Sequence, residues 1–156
     1  MKWVTRERPK IDRIACPWLI ERFIDKAPEF LFVPSTDVFQ VAEEKGAIPY
    51  DIPGVELSHE GERCSFDAFL GKYRLTDAAL ATLAVISVAR IPPGWIWRPK
   101  RRDCSPFRWG CRKTSKDNRE MLKHGMVMYD ALYAWCNTCQ SEAHSWPPKL
   151  QSREVF

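Results

Sequence analysis

Short apolar runs alternate with amphipathic stretches over the first 86 residues, and this alternation predicts strands separated by helices. Strands are expected over residues 2–5, 29–33 and 48–52. Helices are expected over residues 16–25, 37–45, 64–73 and 77–86, and the longest one over residues 118–136. This order is typical of an α+β fold, with a small mixed sheet covered by several helices in a single domain.

The predicted start of the first helix depends on Pro17. Proline lacks the backbone N–H and is tolerated at the first helical position, which makes Cys16 the expected N-cap. Four basic residues precede it: Arg6, Arg8, Lys10 and Arg13. Because helix N-termini attract anions and lower thiol pKa values, this run indicates a small-oxyanion pocket or a reactive thiolate. The alternative is a solvated charged face balanced by Glu7 and Asp12.

A second candidate site lies at a predicted loop-to-helix junction, where His59, Cys64 and Asp67 fall within nine residues. An imidazole, a thiol and a carboxylate are suitable ligands for a transition-metal ion, or could form a polar rim around an anion. His124, near the start of the longest predicted helix, could supply a further ligand. No standard zinc spacing is matched, so a turn histidine at 59 and a capping or core histidine at 124 are the plain alternatives.

The composition favours one soluble domain. The chain has 156 residues, of which 45% are hydrophobic and 28% charged. No apolar run approaches the roughly 18–20 residues of a membrane span, and the first residues form no apolar signal core. We therefore expect a cytoplasmic protein without a membrane partner. Its six cysteines are then expected to be reduced thiols. Phosphate-binding glycine loops, the Rossmann fingerprint and the nucleophile-elbow serine are absent from the sequence.

Residues 87–116 differ from the rest of the chain. Residues 87–119 carry ten Lys/Arg and two Asp/Glu, so this stretch is strongly basic. The rest of the chain carries fourteen Lys/Arg and eighteen Asp/Glu, so it is mildly acidic. Three of the seven tryptophans lie in this basic insert, and neither a helical nor an alternating period is present. One interpretation is a basic, aromatic nucleic-acid-binding loop. The interpretation we favour is a reading-frame slip that was later restored, because synonymous codons allow a shifted frame over residues 88–111 to encode an amphipathic helix.

Four ordered blocks of sequence carry a family resemblance. They are residues 3–20, residues 29–34, residues 54–59 leading to Cys64-Ser-Phe-Asp67, and residues 121–136. Together they resemble the C-terminal domain of the chromate resistance protein ChrB family. The resemblance implies one domain over residues 1–136, in which 87–116 is atypical, and a loose tail over 137–156. The family's winged-helix-like DNA-binding part is not found in this chain, so nucleic acid is not an expected partner.

The resemblance implies a chromate resistance domain that senses chromate or a related oxyanion, and we favour this role over an enzyme. In this hypothesis Arg6 and Arg13 hold the anion near Cys16, and His59 adds a donor. Thiols at Cys16 or Cys64 would respond to the oxidant. Two alternatives stay open: a metal-dependent redox or hydrolytic enzyme using His59, Cys64 and His124, and a nucleic-acid-binding module using the basic insert. A transition-metal ion is the one cofactor that the sequence suggests, and a homodimer is left open.

Overall fold

The structure, a computed structural model, describes residues 1–7, 12–61, 63–87 and 115–138. The side chains of Asp12, Arg13 and Ser87 fall outside that description, as do most of the basic insert and the tail beyond residue 138. The strands are β1 (Lys2–Arg6), β2 (Glu29–Val33) and β3 (Ile48–Pro49). The helices are α1 (Asp12–Leu19), α2 (Val38–Lys45), α3 (Ser65–Lys72), α4 (Ala78–Ser87) and α5 (Asn118–Thr138).

The three strands form one sheet in the order β2-β1-β3. Lys2 to Arg6 of β1 pair in register with Glu29 to Val33 of β2, and Trp3 pairs with Ile48 of β3. Both pairings are parallel, because a helical crossover separates each strand from the next. The α+β class with a small helix-covered sheet is confirmed, and the described sheet is parallel where mixed pairing was expected.

Alternation along β1 buries side chains on both faces of the sheet. Trp3 joins the larger core cluster with residues of α1, α3, α4 and α5. Val4 points to the opposite face and packs in a second cluster with Val38 of α2 and with Ile52. The central strand is therefore covered on both sides. No helix in the described ranges is both long and apolar enough to cross a membrane.

The predicted start of the first helix is wrong. Helix α1 begins at Asp12, so Pro17 is its sixth residue and Cys16 is inside it. A proline there cannot donate to the carbonyl four residues earlier, which normally disfavours this position. Burial outweighs that cost, because Ile14 and Trp18, four residues apart, are both almost fully buried in the main core. The helix then continues as a π-helical turn over Ile20–Ile24.

Other helix ends follow the predicted chemistry. Helix α2 ends at Gly46, whose φ of 58° is the left-handed conformation that glycine adopts at low cost. Cys64 is the N-cap of α3, and its N–H donates to the Asp67 carboxylate at 2.8 Å. Asp77 precedes α4 and accepts from the N–H of Ala79 at 2.7 Å. The segment after β3 is held against β1 by separate bonds, such as the one from the N–H of Tyr50 to the carbonyl of Val4 at 3.1 Å.

Candidate functional site

Polar side chains collect at the carboxyl edge of the sheet. Strand β1 is central, with β2 on one side and β3 on the other, so the connection from β1 to β2 and the connection from β2 to β3 run in opposite directions across the sheet. In open parallel sheets, ligands bind in the crevice at the carboxyl ends of the strands where the strand order reverses. Arg6 is the last residue of β1, and Asp51 follows the end of β3 by two residues. Both therefore lie at this edge of the sheet.

Arg6 contacts Asp51 directly. Its Nη2 donates to the backbone carbonyl of Asp51 at 2.8 Å and lies 3.7 Å from Asp51 Oδ2. About a third of the side chain is exposed, at 31%. Its Nε is buried and has no hydrogen-bond partner among the described residues. A buried donor without a partner is costly, and the exposed part of the guanidinium carries further N–H donors that an anion could reach.

Asp51 is the central acceptor of the group. Its φ of 54° is left-handed, an uncommon conformation for a residue other than glycine that aspartate and asparagine tolerate best. Its N–H donates to the carbonyl of Leu57 at 2.8 Å. Buried Ser65, the first residue of α3, donates from Oγ to Asp51 Oδ1 at 2.6 Å. The carboxylate is therefore held by partners from β1 and α3.

His59 is the third polar group of the cluster. Its Nε2 lies 3.5 Å from Asp51 Oδ1, and this contact is an ion pair when the imidazole is protonated. The side chain is 65% exposed, so it faces solvent. We call Arg6, Asp51, His59 and Ser65 the sheet-edge cluster. With His59 protonated the cluster carries one net positive charge, and with His59 neutral it carries none.

The sheet-edge cluster accounts for part of the sequence prediction. Arg6 and His59, predicted to bind an oxyanion, come together around Asp51. Arg8 and Lys10 lie outside the described residues, as does the side chain of Arg13. Along the chain, these three follow directly from the carboxyl end of β1.

Cys16 and Cys64 are placed differently from the predicted reactive thiols. Cys16 is 1% exposed inside α1, away from any helix start. Cys64 is 7% exposed, and burial raises the pKa of its thiol to about 11, partly opposed by the backbone N–H of Asp67. A thiol with this pKa is almost wholly protonated near neutral pH and is a poor nucleophile.

The predicted metal ligands His59, Cys64 and His124 gain no geometric support. His124 is exposed on α5. Within the described ranges, no three or more His, Cys, Asp or Glu side chains are grouped so that they could hold a metal ion. This ligand set stays a prediction from sequence alone.

Sequence reasoning misses Asp51 and Ser65 as members of the site. The sequence suggests Ser65 only as a helix cap, and it places Asp51 near the end of a strand predicted to run to residue 52. The strand ends at Pro49, and the turn-forming context Pro-Tyr-Asp-Ile-Pro-Gly is the available signal. A polar residue directly after a short strand, flanked by prolines, is a candidate for the edge of a sheet.

Comparisons with known proteins identify the family. A family model described as "ChrB, C-terminal domain" matches residues 3–136. Protein ChrB of Cupriavidus metallidurans is 40% identical over 83 residues, which is 53% of this chain and 24% of that protein. The aligned part is thus about a quarter of the relative's length. No solved structure is significantly similar. The family match spans nearly all of the described core, and the chain belongs to the ChrB C-terminal domain family.

Proposed function

We propose that this domain binds chromate, or a closely related oxyanion, as a sensing or accessory part of a chromate resistance system. The carrying observation is Arg6, a partly exposed guanidinium at the carboxyl edge of the sheet that retains a buried donor. The family resemblance supplies the choice of chromate, and the match to Protein ChrB supports it. The site is proposed to function in the cytoplasm.

Charge-assisted hydrogen bonds are the proposed means of capture. A guanidinium carries five N–H donors in a rigid fork, and Arg6 uses Nη2 on the Asp51 carbonyl. Its remaining donors suit the tetrahedrally arranged oxygens of chromate. His59 adds a second cationic donor when protonated, on the exposed side of the cluster. Arg13, in this proposal, supplies a further guanidinium from the start of α1.

Binding is tested by calorimetric titration of the full chain with chromate, using sulfate as the reference anion. Arg6→Ala removes a charged hydrogen-bond donor worth about 1.5–3 kcal/mol, so we expect chromate affinity to fall roughly 10- to 150-fold. His59→Gln should give a smaller loss. The matched control is Arg119→Ala, which removes the same charge from an exposed position in the first turn of α5.

The proposal fails if Arg6→Ala, with a cooperative unfolding transition, binds chromate as tightly as the wild type. A thermal scan gives an independent readout, because a ligand at about 100 times its Kd stabilises the folded state by roughly 2.7 kcal/mol. Since chromate is also an oxidant, the protein is weighed by mass spectrometry after titration. An unchanged mass shows that the measured heat comes from binding and not from thiol oxidation.

A further inference from the structure

We propose that Asp51 determines the specificity of the sheet-edge cluster. Its carboxylate selects oxyanions that carry a proton, such as hydrogen chromate and hydrogen phosphate, against fully deprotonated sulfate. This inference rests on the proposed function, namely that an oxyanion binds at Arg6 and His59. It adds the chemical class of anion that the site accepts.

The position of Asp51 between the two proposed donors carries the inference. Arg6 Nη2 lies 3.7 Å from Asp51 Oδ2, and His59 Nε2 lies 3.5 Å from Asp51 Oδ1. An anion that takes hydrogen bonds from both Arg6 and His59 must come close to this carboxylate. Asp51 therefore puts a negative charge beside any anion that these two donors bind.

The hydrogen-bonding capacity of the Asp51 carboxylate and of the anion then decides which anions the site binds. An ionised carboxylate is a hydrogen-bond acceptor only, and it has about four lone-pair positions. Sulfate near neutral pH is also an acceptor only, so sulfate beside Asp51 meets repulsion between like charges. Hydrogen chromate and hydrogen phosphate carry an O–H that can donate to the carboxylate in a short, charge-assisted bond. The proton stays on the ligand, and no covalent bond changes.

The Asp51 carboxylate is also held in place, so it cannot turn away from a bound sulfate ion. Ser65 Oγ, itself buried, donates to Asp51 Oδ1 at 2.6 Å. The left-handed backbone at Asp51 fixes the direction in which its side chain leaves the chain. Asp51 is 5% exposed, so water screens its charge poorly. Sites built around a ligand O–H reject analogues that lack it far more strongly than apolar pockets reject analogues.

Asp51→Asn is the decisive variant. Asparagine has nearly the same size and tolerates the left-handed backbone, but its amide also donates, so it can bond to sulfate. Dissociation constants of the full chain for chromate, phosphate and sulfate are measured at one pH near neutrality. We expect the wild type to bind chromate and phosphate at least about tenfold more tightly than sulfate, and Asp51→Asn to bring this ratio close to one. Asp37→Asn is the matched control, since it makes the same carboxylate-to-amide change at the N-cap of α2, where the side chain makes no capping hydrogen bond.

Each outcome has a defined meaning. If Asp51→Asn folds and its ratio of the sulfate Kd to the chromate Kd equals that of the wild type, this inference is overturned while oxyanion binding is left intact. A wild-type protein that does not prefer the protonated anions does the same. If the wild type binds none of the three anions, the proposed function fails and this inference fails with it. Should Asp51→Asn lose cooperative unfolding, Asp51→Gly replaces it, because glycine tolerates the left-handed backbone and removes the carboxylate. An unchanged ratio of dissociation constants in Asp51→Gly then counts against the proposal.

Discussion

The Nη2 nitrogen of Arg6 donates a 2.8 Å hydrogen bond to the backbone carbonyl of Asp51, 45 residues away in the chain. This bond joins the end of β1 to the segment that follows β3. Asp51 is buried, and the Arg6 guanidinium is among the positive groups beside its carboxylate. Residues proposed to bind the anion therefore also hold the edge of the sheet together, so stability and binding have to be measured separately.

Replacing Arg6 should lower stability as well as affinity. Arg6→Ala removes the bond to the Asp51 carbonyl and a nearby positive charge, and we expect a loss of about 1–3 kcal/mol in the free energy of unfolding. Urea denaturation measures this loss. In a double-mutant cycle with Asp51→Asn we expect a coupling of about 0.5–3 kcal/mol. Strictly additive effects would show that the two side chains do not act together.

Gly125 fixes how closely α5 approaches α1. A Cβ at this position would lie 2.3 Å from Ile14 Cγ2 and 2.8 Å from Ile14 Cδ1. Gly125→Ala should therefore destabilise the protein by about 1–3 kcal/mol, although alanine is the better helix former. Thermal or urea unfolding measures the change. Gly71→Ala in α3 is the matched control, because a Cβ there would meet nothing within 4 Å, and it should be neutral or stabilising. Gly125→Ala as stable as the wild type would contradict the helix contact.

Local patterns are sufficient to find most of the elements. The apolar run Glu29–Val33 is β2 with the predicted bounds, and α2 ends at Gly46, as predicted. The longest helix, predicted over residues 118–136, extends to Thr138. These signals depend only on neighbours in sequence. Pro17 gives a wrong start for α1, because the burial of Ile14 and Trp18 in the tertiary core outweighs a local preference.

The candidate site is only partly accessible to sequence reasoning. Charge and the family resemblance point to Arg6 and His59, and both lie at Asp51. Asp51 itself is missed, because its role depends on the strand order β2-β1-β3, which brings the ends of β1 and β3 together. No local pattern contains that order. The sequence allows Cys64 to be a helix cap or a reactive or metal-binding thiol, and the described geometry shows the cap.

Cys64 should be slow to react in the folded protein. Burial raises the pKa of its thiol to about 11, so the reactive thiolate is scarce at pH 7.4. We expect alkylation by iodoacetamide to be at least about tenfold slower than in the urea-unfolded chain, as followed by peptide mass spectrometry. Because the folded-state pKa is raised, the associated stability is present below the usual thiol pKa and is lost as the pH rises towards 11. Equal alkylation rates of Cys64 in the folded and unfolded chains would show that this thiol is accessible to the reagent in the folded protein.

The ion pair between Arg22 and Asp130 should make stability depend on acid pH. Arg22 Nε and Nη2 donate to the two Asp130 carboxylate oxygens at 2.9 and 2.8 Å, and Trp18 Nε1 donates to Oδ1 at 2.8 Å. The hydrogen bonds from Arg22 lower the pKa of Asp130 below its usual value. A carboxylate with a lowered folded-state pKa contributes stability above its usual pKa, and this contribution is lost as the pH falls through the folded-state value.

Asp130→Asn tests this pH dependence. The variant removes the charge and keeps an acceptor for Trp18, so at pH 7 we expect a loss below about 1 kcal/mol for this solvent-exposed pair. The difference in unfolding free energy between the wild type and the variant should shrink as the pH falls from 5 towards about 3. Urea unfolding at several pH values measures it, with Asp37→Asn as the matched carboxylate-to-amide control on another helix. A difference that is the same at every pH would mean that packing around Trp18, and not the charge on Asp130, joins α1 to α5.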